Sequence, residues 1–294
     1  MFMAQYGKTC LTLLATVLLI PNSFAAEPGK ITVKADQPGI TISPNLYGVF
    51  YEEISRAGDG GLYAEMIQNR SFEDTKKELL SVPLSEKPGA WELVKEDGAN
   101  VIMALDDSKP LNEKNKHSLK VTITNPGKGA GVANIGFHHT DVGRDKRITE
   151  KYQLQNGIPV QKGKQYNLSV YVRSEADFKG PLIVGFKGKT GMLAEGKITG
   201  IGADWKKFEI ALTAKDTDPE TKFVITSESA GTFYLDMVSV FPKDTFKNRP
   251  NGLRADLAQM VADMNPKFVR YPGGCWVAGH TLPYAVRWKN TIGD

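Results

Sequence analysis

The sequence changes character twice along its length, and these two changes constrain the fold more than any other feature. Residues 71–245 consist mostly of short runs in which apolar and polar residues alternate, separated by turns such as Asn125-Pro126-Gly127. Many short strands joined by turns are typical of a β-sandwich. The flanking stretches, 30–70 and 246–294, instead place strand patterns next to helix patterns, as β/α units do. We therefore predict a β/α domain interrupted by an inserted all-β sandwich.

The first flank predicts extended backbone followed by a helix. Alternating apolar residues at 31–35 and 40–42 indicate strands, and the apolar stretch 49–51 indicates a buried strand. After a glycine-rich loop, the spacing of Leu62, Met66 and Ile67 predicts a helix over residues 61–68.

The second flank predicts a helix and then a strand. Apolar residues recur at helical spacing from Leu253 to Met264, which indicates one face of an amphipathic helix. The pair Asn265-Pro266 should end that helix. Residues 267–271 then predict a strand, and 272–274 a tight turn.

The first 25 residues have the pattern of an export signal. Lys8 precedes an almost wholly apolar run over 11–20, and small residues lead up to a cleavage site after Ala25. The run is shorter than the roughly 20 residues that a membrane span needs. We therefore expect a secreted or periplasmic protein without a membrane anchor after cleavage, in which Cys275 has no cysteine to pair with.

Composition and charge exclude other classes of protein. With 41% hydrophobic and 24% charged residues, the chain is ordinary for a globular protein. Its formal net charge of +4 is dispersed. Nucleic-acid-binding proteins usually concentrate basic residues on one face, so we expect no nucleic-acid partner.

Two acidic residues follow the first buried strand. In β/α barrels the working residues lie at the carboxyl ends of strands, where Glu52 and Glu53 are predicted to lie. Side chains alternate along a strand, so only one of the two can point inward. Paired acids on a solvated loop are the alternative, and it stays open at this point.

The segment after the second predicted strand combines groups that suit a sugar. Arg270 offers a forked donor for hydroxyl or carboxylate groups, and Trp276 offers an apolar face to a sugar ring. Between them, Gly273 and Gly274 permit close backbone approach next to Cys275. The alternative is an ordinary turn with a core tryptophan.

Four blocks of sequence, in this order, resemble the opening of glycoside hydrolase family 51. They are 47–54 (YGVFYEEI), 60–73 (GGLYAEMIQNRSFE), 268–275 (FVRYPGGC) and 287–293 (RWKNTIG). The resemblance implies an exo-acting α-L-arabinofuranosidase on a (β/α)8 barrel, with a retaining mechanism that uses two glutamates. Residues 71–245 resemble the jelly-roll carbohydrate-binding modules of families 4 and 9, carried as an insertion.

The resemblance also implies roles for single residues. Glu52 matches a first-strand glutamate that hydrogen-bonds the arabinose hydroxyls, and Arg270 matches an arginine that organises the catalytic acids. Cys275 falls where many members have an asparagine that contacts the sugar, and Trp276 follows it as a further substrate-binding candidate. The family's acid/base and nucleophile match no position of this chain, so no catalytic residue is assigned and both are expected beyond Asp294.

The expected architecture is therefore an incomplete TIM barrel interrupted by a jelly-roll sandwich. A signal peptide (1–25) precedes strands and a first β/α unit (26–70), then the sandwich (71–245), then a second β/α unit (246–294). A complete barrel takes about 250 residues, so two units cannot close one.

The expected function is removal of terminal α-L-arabinofuranosyl residues from arabinan or arabinoxylan, with this chain inactive alone. One alternative is a non-catalytic polysaccharide-binding protein, with Trp91, Trp205 and Tyr234 as platforms or, since large aromatics are mostly buried, as core residues. Another is a different secreted barrel glycosidase, such as a xylosidase.

The resemblance to jelly-roll modules also implies a structural calcium ion. Glu73 and Asp236 are the candidate ligands, because oxygen ligands suit Ca²⁺. Ordinary surface carboxylates are the alternative. No cofactor for catalysis is expected.

Overall fold

The computed structural model describes residues 29–53, 56–73, 88–137, 157–279, 282, 285–287 and 289. Most of these residues belong to a β-sandwich, as the alternating runs predict. The strands of the sandwich are β2 (Trp91–Glu96), β3 (Asn100–Asp106), β4 (Ser118–Asn125), β5 (Gly129–Asn134), β6 (Ile158–Val160), β7 (Gln165–Ser174), β8 (Leu182–Gly188), β9 (Gly191–Ile198), β10 (Lys206–Thr213), β11 (Asp218–Ser227) and β12 (Gly231–Pro242). The strand that precedes them, β1, is Val49–Phe50.

Two mainly antiparallel sheets form the sandwich. The five-stranded sheet has the order β10-β7-β12-β4-β3. The six-stranded sheet has the order β2-β5-β11-β8-β9, and β6 pairs with β11 beside that path. Strands distant in sequence are therefore neighbours in both sheets, and the insertion has its own fold.

The core lies between the inner faces of the two sheets. On β7 the buried side chains of Leu168, Val170 and Val172 alternate with more exposed ones, which places one face inward. From the opposite sheet, Phe186 and Phe223 meet edge to face with ring centroids 5.5 Å apart, a favoured arrangement for aromatic pairs.

Strand β12 carries a β-bulge just after its pairing with β4 ends. Its register with β7 shifts between Asp236 and Ser239, and Met237 adopts a positive φ of 48°. A bulge inserts an extra residue and re-aims the strand beyond it. As a result, the end of β12 accepts partners from outside the sandwich, among them Met66, whose N–H donates to the Val240 carbonyl at 3.0 Å.

The second flank contains the predicted helix and strand. Helix α1 covers Ala255–Asp263, strand β13 covers Val269–Arg270 and the short helix α2 covers Cys275–Ala278. A 3-10 turn at Phe246–Asn248 leads into them from the sandwich. No helix within the described part of the chain is long and apolar enough to cross a membrane.

The helix predicted over residues 61–68 is wrong: residues 61 and 62 lie in a turn, Tyr63 forms an isolated bridge with Leu253, and residues 64–67 belong to no helix. The Ala64 N–H donates to the Gly252 carbonyl at 3.2 Å, and the Arg70 carbonyl accepts the Val238 N–H at 2.9 Å. The backbone thus finds its hydrogen bonds in other elements, and tertiary pairing overrides the apolar spacing.

The strands predicted at 31–35 and 40–42 are also wrong. Residues 29–43 belong to a separate compact unit and contain no strand. Ile31 is 90% exposed and Ile40 is 96% exposed. An alternating sequence forms a strand only where a partner supplies hydrogen bonds and a face to bury, and these apolar side chains are not buried.

Candidate functional site

Strands β1 and β13 lie side by side although about 220 residues separate them along the chain. They pair in parallel, with Phe50 opposite Arg270. The ladder continues past the strands, because the Tyr51 N–H donates to the Arg270 carbonyl at 2.9 Å and the Glu53 N–H to the Pro272 carbonyl at 3.1 Å. The chain therefore brings Glu52 against the turn that follows Arg270.

Glu52 packs directly on the backbone of that turn. A Cβ atom placed on Gly273 would lie 2.8 Å from Cδ of Glu52, closer than unbonded carbons approach. Gly273 also has a φ of +132°, a conformation that residues other than glycine rarely adopt. Both the close contact with Glu52 and the positive φ therefore require a glycine at position 273 of the predicted turn. We call Glu52, Arg270 and Gly273 the rim.

Arg270 and Phe50 share one face of the small parallel sheet. The guanidinium carbon of Arg270 lies 5.1 Å from the centroid of the Phe50 ring, a cation–π contact. Both side chains are exposed, Phe50 by 53%. The next turn of the chain holds Cys275, which is exposed and a free thiol. Trp276 lies in α2, and its side chain is outside what the structure describes.

Glu53 points away from Glu52, as strand alternation predicts. A Cβ atom on Gly58 would lie 3.1 Å from Cδ of Glu53, so this carboxylate lies over the glycine loop. Burial raises the pKa of Glu53, while the N–H groups of Asp59 and Gly58 that donate to it act in the opposite direction. Glu53 thus holds the loop and leaves Glu52 as the carboxylate beside the turn.

Two tyrosines line the same side as Glu53. The rings of Tyr51 and Tyr271 stack with centroids 5.5 Å apart. Burial, followed by the charges of Glu53 and Tyr271, raises the pKa of Tyr51 to about 12. The Tyr51 hydroxyl therefore remains a neutral phenol at any ordinary pH.

The calcium candidates Glu73 and Asp236 are neighbours. Both oxygens of Glu73 contact His117, one at 2.7 Å from its backbone N–H and the other at 2.7 Å from Nδ1. Asp236 is fully buried, and its Oδ2 atom has no hydrogen-bond partner among the described residues. Burial, with the nearby charge of Glu73, raises the pKa of Asp236 to about 8.

A bound cation would provide the partner that the buried Asp236 oxygen lacks, because burying a carboxylate oxygen without a hydrogen-bond donor costs stability. Within the described ranges, however, no group of three or more His, Cys, Asp or Glu side chains converges as a metal site would require. Glu73 and Asp236 are thus the two side chains that offer the oxygen ligands Ca²⁺ takes, and the partnerless Asp236 oxygen is the observation that favours an ion there.

Of the three aromatic residues considered as sugar-binding platforms, two are buried. Trp91 is in the core, 5% exposed, and packs on Phe72. Tyr234 is 4% exposed beneath Arg173, whose guanidinium carbon lies 3.4 Å from the ring centroid. Trp205 is half-buried, 5.4 Å from the same guanidinium. Of the three, Trp205 alone keeps a partly open face.

Sequence reasoning missed Glu65, which lies inside the stretch predicted as a helix and was given no role there. Glu65 is 4% exposed, and its carboxylate accepts hydrogen bonds from the Val240 N–H at 2.9 Å and the Ser239 hydroxyl at 2.5 Å. The available signal was a lone acid inside the apolar stretch 62–67.

Known proteins resemble this chain in sequence and in structure. The sequence family described as Alpha-L-arabinofuranosidase 1 domain matches residues 260–294. An extracellular exo-α-L-arabinofuranosidase of Streptomyces chartreusis is 34% identical over 305 residues, covering 98% of this chain and 33% of the relative. α-L-Arabinofuranosidase 1 of Arabidopsis thaliana is 35% identical over 258 residues, covering 87% of this chain and 35% of the relative.

Among solved structures, the arabinose-bound MgGH51 α-L-arabinofuranosidase superposes with a TM-score of 0.70 at 30% identity. The match covers 88% of this chain and 39% of that structure. The chain thus spans about a third of the length of the curated relatives it matches.

Proposed function

We propose that this chain, which is homologous to the N-terminal region of the family 51 α-L-arabinofuranosidases, supplies the sugar-binding rim of an exo-acting glycosidase. The enzyme would remove terminal α-L-arabinofuranosyl residues from arabinan or arabinoxylan. The observation that carries this proposal is the parallel pairing of β1 with β13, which sets Glu52 against the turn after Arg270.

The two charged rim residues, and the two residues that follow the turn, each have a chemical part in that function. Glu52 is half-exposed, and its carboxylate can accept hydrogen bonds from the vicinal hydroxyls of a furanose. Arg270, supported on Phe50, presents donors to hydroxyl or carboxylate oxygens. Cys275 and Trp276 follow the turn directly and are proposed as further substrate contacts.

We propose that the chain binds the sugar without hydrolysing it alone. A retaining glycosidase needs two carboxyl groups about 5–5.5 Å apart across the scissile bond. Glu52 packs against the turn after Arg270, whereas the carboxylate of Glu53 lies over Gly58. These adjacent acids therefore cannot serve as that pair. Incubation with 4-nitrophenyl α-L-arabinofuranoside should release no nitrophenol above the blank, and sustained release would refute this part.

The fold that completes the rim is proposed to be a (β/α)8 barrel. Two parallel strands, with helix α1 ahead of the second, are the pattern that such a barrel repeats. Several apolar side chains of these elements are exposed, among them Phe268 by 52%, Val269 by 57% and Met260 by 67%. Neighbouring β/α units would bury them, as the sheet and helices of a barrel do.

The sandwich is proposed to be mainly a structural insertion. Trp91 and Tyr234 are buried, which leaves little aromatic surface for the alternative of a polysaccharide-binding protein. Affinity electrophoresis in arabinan and xylan gels distinguishes the structural insertion from the polysaccharide-binding protein. If the sandwich is only structural, the polysaccharide in the gel leaves the mobility of the protein unchanged. Retardation that Trp205→Ala abolishes would support the binding alternative.

Secretion is proposed from residues 1–25, which lie outside the described residues. The Streptomyces relative is named extracellular, and the pattern of Lys8 and the apolar run 11–20 fits a cleaved signal.

Calcium is proposed as a structural ion between Glu73 and Asp236. Once bound, it would neutralise buried negative charge and take no part in hydrolysis.

The rim proposal is tested by NMR titration with methyl α-L-arabinofuranoside. We expect shift changes centred on Glu52 and residues 270–274, and at least a tenfold loss of affinity in Glu52→Gln. Glu228→Gln, an exposed glutamate in the turn before β12, is the control and should bind as wild type does. Equal affinity in Glu52→Gln, or a preference for methyl β-D-xylopyranoside, would contradict the proposal.

A further inference from the structure

The stretch 62–70, which we call the joint segment, connects two parts of the molecule through its backbone. Near its start, the Leu62 carbonyl accepts the Arg254 N–H at 2.9 Å, just ahead of helix α1. Further along, the Met66 N–H donates to the Val240 carbonyl and the Arg70 carbonyl accepts the Val238 N–H, so this part of the segment pairs with β12 at and just after its bulge. The partners therefore change in the middle of the joint segment.

Glu65 lies where this change of partners occurs. Its Oε1 atom accepts the N–H groups of Met66 and Ile67, each at 3.0 Å, and that of Val240 at 2.9 Å. Its Oε2 atom accepts the Ser239 hydroxyl at 2.5 Å. One side chain thus ties β12 to the joint segment at a place where regular strand pairing is interrupted.

We propose that Glu65 is a positioning residue, holding the sandwich to the segment that leads from the rim, and that this joint can take up one proton without losing its hydrogen bonds. The geometry permits both forms. An ionised carboxylate accepts all four bonds, whereas a protonated one can reverse the Ser239 bond and donate to the hydroxyl oxygen. The proton removes a buried charge without dismantling the contact.

The charged surroundings of Glu65 are mixed. Arg70 on the same segment lies 3.8 Å from its Oε2 atom, and Arg56 and Asp59 from the glycine loop line the same cleft of about 280 Å³. Tyr63 is also close enough for the charge of Glu65 to affect its pKa. Strand β12 contributes only neutral donors to the carboxylate, from Ser239 and Val240.

Burial has the largest effect on the pKa of Glu65. It raises the pKa of Glu65 from its ordinary 4.5 to about 7, against the lowering effect of the Ser239 hydroxyl, the N–H groups of Val240 and Ile67, and Arg70. A raised pKa means that the folded chain binds the proton more tightly than the unfolded chain does. The stability this confers is complete below about pH 4.5 and is lost as pH rises to about 7.

Carboxyl titration tests the proton site directly. In the full chain labelled with ¹³C at the glutamate carboxyl carbons, we expect one resonance to titrate near pH 7, and to be missing from Glu65→Gln. Ser239→Ala, which removes a donor to the ionised form, should move that midpoint upward and assigns the resonance if Glu65→Gln does not fold. If the Glu65 carboxyl titrates below about pH 5.5, the proposal is wrong.

Unfolding in urea gives a second, independent readout. The unfolding constant of the wild type relative to Glu65→Gln should rise by up to about tenfold per pH unit between roughly pH 5 and 7. Glu228→Gln should follow the wild type throughout. A ratio that does not change with pH would overturn the proposal.

The positioning role has its own measurement. The amide resonances of Leu62 and Gly273 should follow the Glu65 midpoint in the wild type and lose that transition in Glu65→Gln. A transition limited to Met66, Ile67 and Val240 would show that Glu65 acts only locally, and the positioning role would fall. No sugar enters these measurements, so their outcome is separate from that of the proposed hydrolase function.

Discussion

At the scale of single residues, the rim depends on the absence of a side chain at Gly273. Its φ of +132° and the closeness of Glu52 exclude a Cβ atom. We predict that Gly273→Ala destabilises the chain by about 1–3 kcal/mol, the usual cost of strain at such a position, and weakens binding of methyl α-L-arabinofuranoside by displacing Glu52. Urea unfolding and NMR titration measure the two effects.

The neighbouring glycine provides the control for this prediction. Gly274 has no atom within 4 Å of a Cβ placed on it, and its φ is −98°. Gly274→Ala should therefore cost less stability and leave sugar binding close to wild type. Equal effects of the two substitutions would mean that the contact with Glu52 does not determine the rim.

Individual residues also show where sequence reasoning succeeds. Glu52 and Arg270 were singled out at or near the ends of two predicted strands, and in the structure these two strands, β1 and β13, pair in parallel. Glu65 was passed over, because the helical spacing of Leu62, Met66 and Ile67 led to the prediction of a helix around it. The hydrogen bonds that take the place of helical ones in this stretch come from β12 and from Gly252, both distant in sequence.

At the scale of elements, helix α1 and the sandwich strands differ in what they bury. On α1, Met260 and Met264 are 67% and 68% exposed, and Ala258 is the buried residue. Leu119 on β4 is fully buried in the core. We predict that Met260→Gln changes the free energy of unfolding by less than about 0.5 kcal/mol, whereas Leu119→Ala costs about 2–5 kcal/mol.

Urea unfolding of both variants checks this contrast. Comparable losses would show that α1 contributes to the same core as the sandwich. The predicted result would show that, in this chain, stability is concentrated in the sandwich and that the apolar face of α1 is available to further β/α units.

Among the strands, alternation was informative only where large apolar residues marked the inner face. Apolar and polar residues alternate at 119–123 and 166–172, which lie within β4 and β7. Strand β5 went unrecognised because its sequence, GAGVAN, is small and buried on both faces, so no alternation develops. A buried strand of this kind can be found only from its neighbours.

At the scale of the whole molecule, the insertion brings its two ends together, and the proposed calcium site lies there. Glu73 is close to the start of the insertion, and Asp236 lies at the bulge of its last strand. An ion bound to both would connect segments that separate on unfolding. It should therefore stabilise the fold by preferential binding to the native state.

The size of this effect follows from mass action. Free Ca²⁺ at a hundredfold excess over its dissociation constant should add about 2.7 kcal/mol, which for a chain of this size raises Tm by roughly 5–10 °C. Differential scanning calorimetry with Ca²⁺ and then with a chelator measures the shift. Asp236→Asn should abolish it, and Asp204→Asn, an exposed acid paired with Lys109, should retain it. A wild-type Tm that is insensitive to Ca²⁺, or a full shift in Asp236→Asn, would leave the orphaned Asp236 oxygen to be stabilised by its proton instead, because burial already favours the neutral acid.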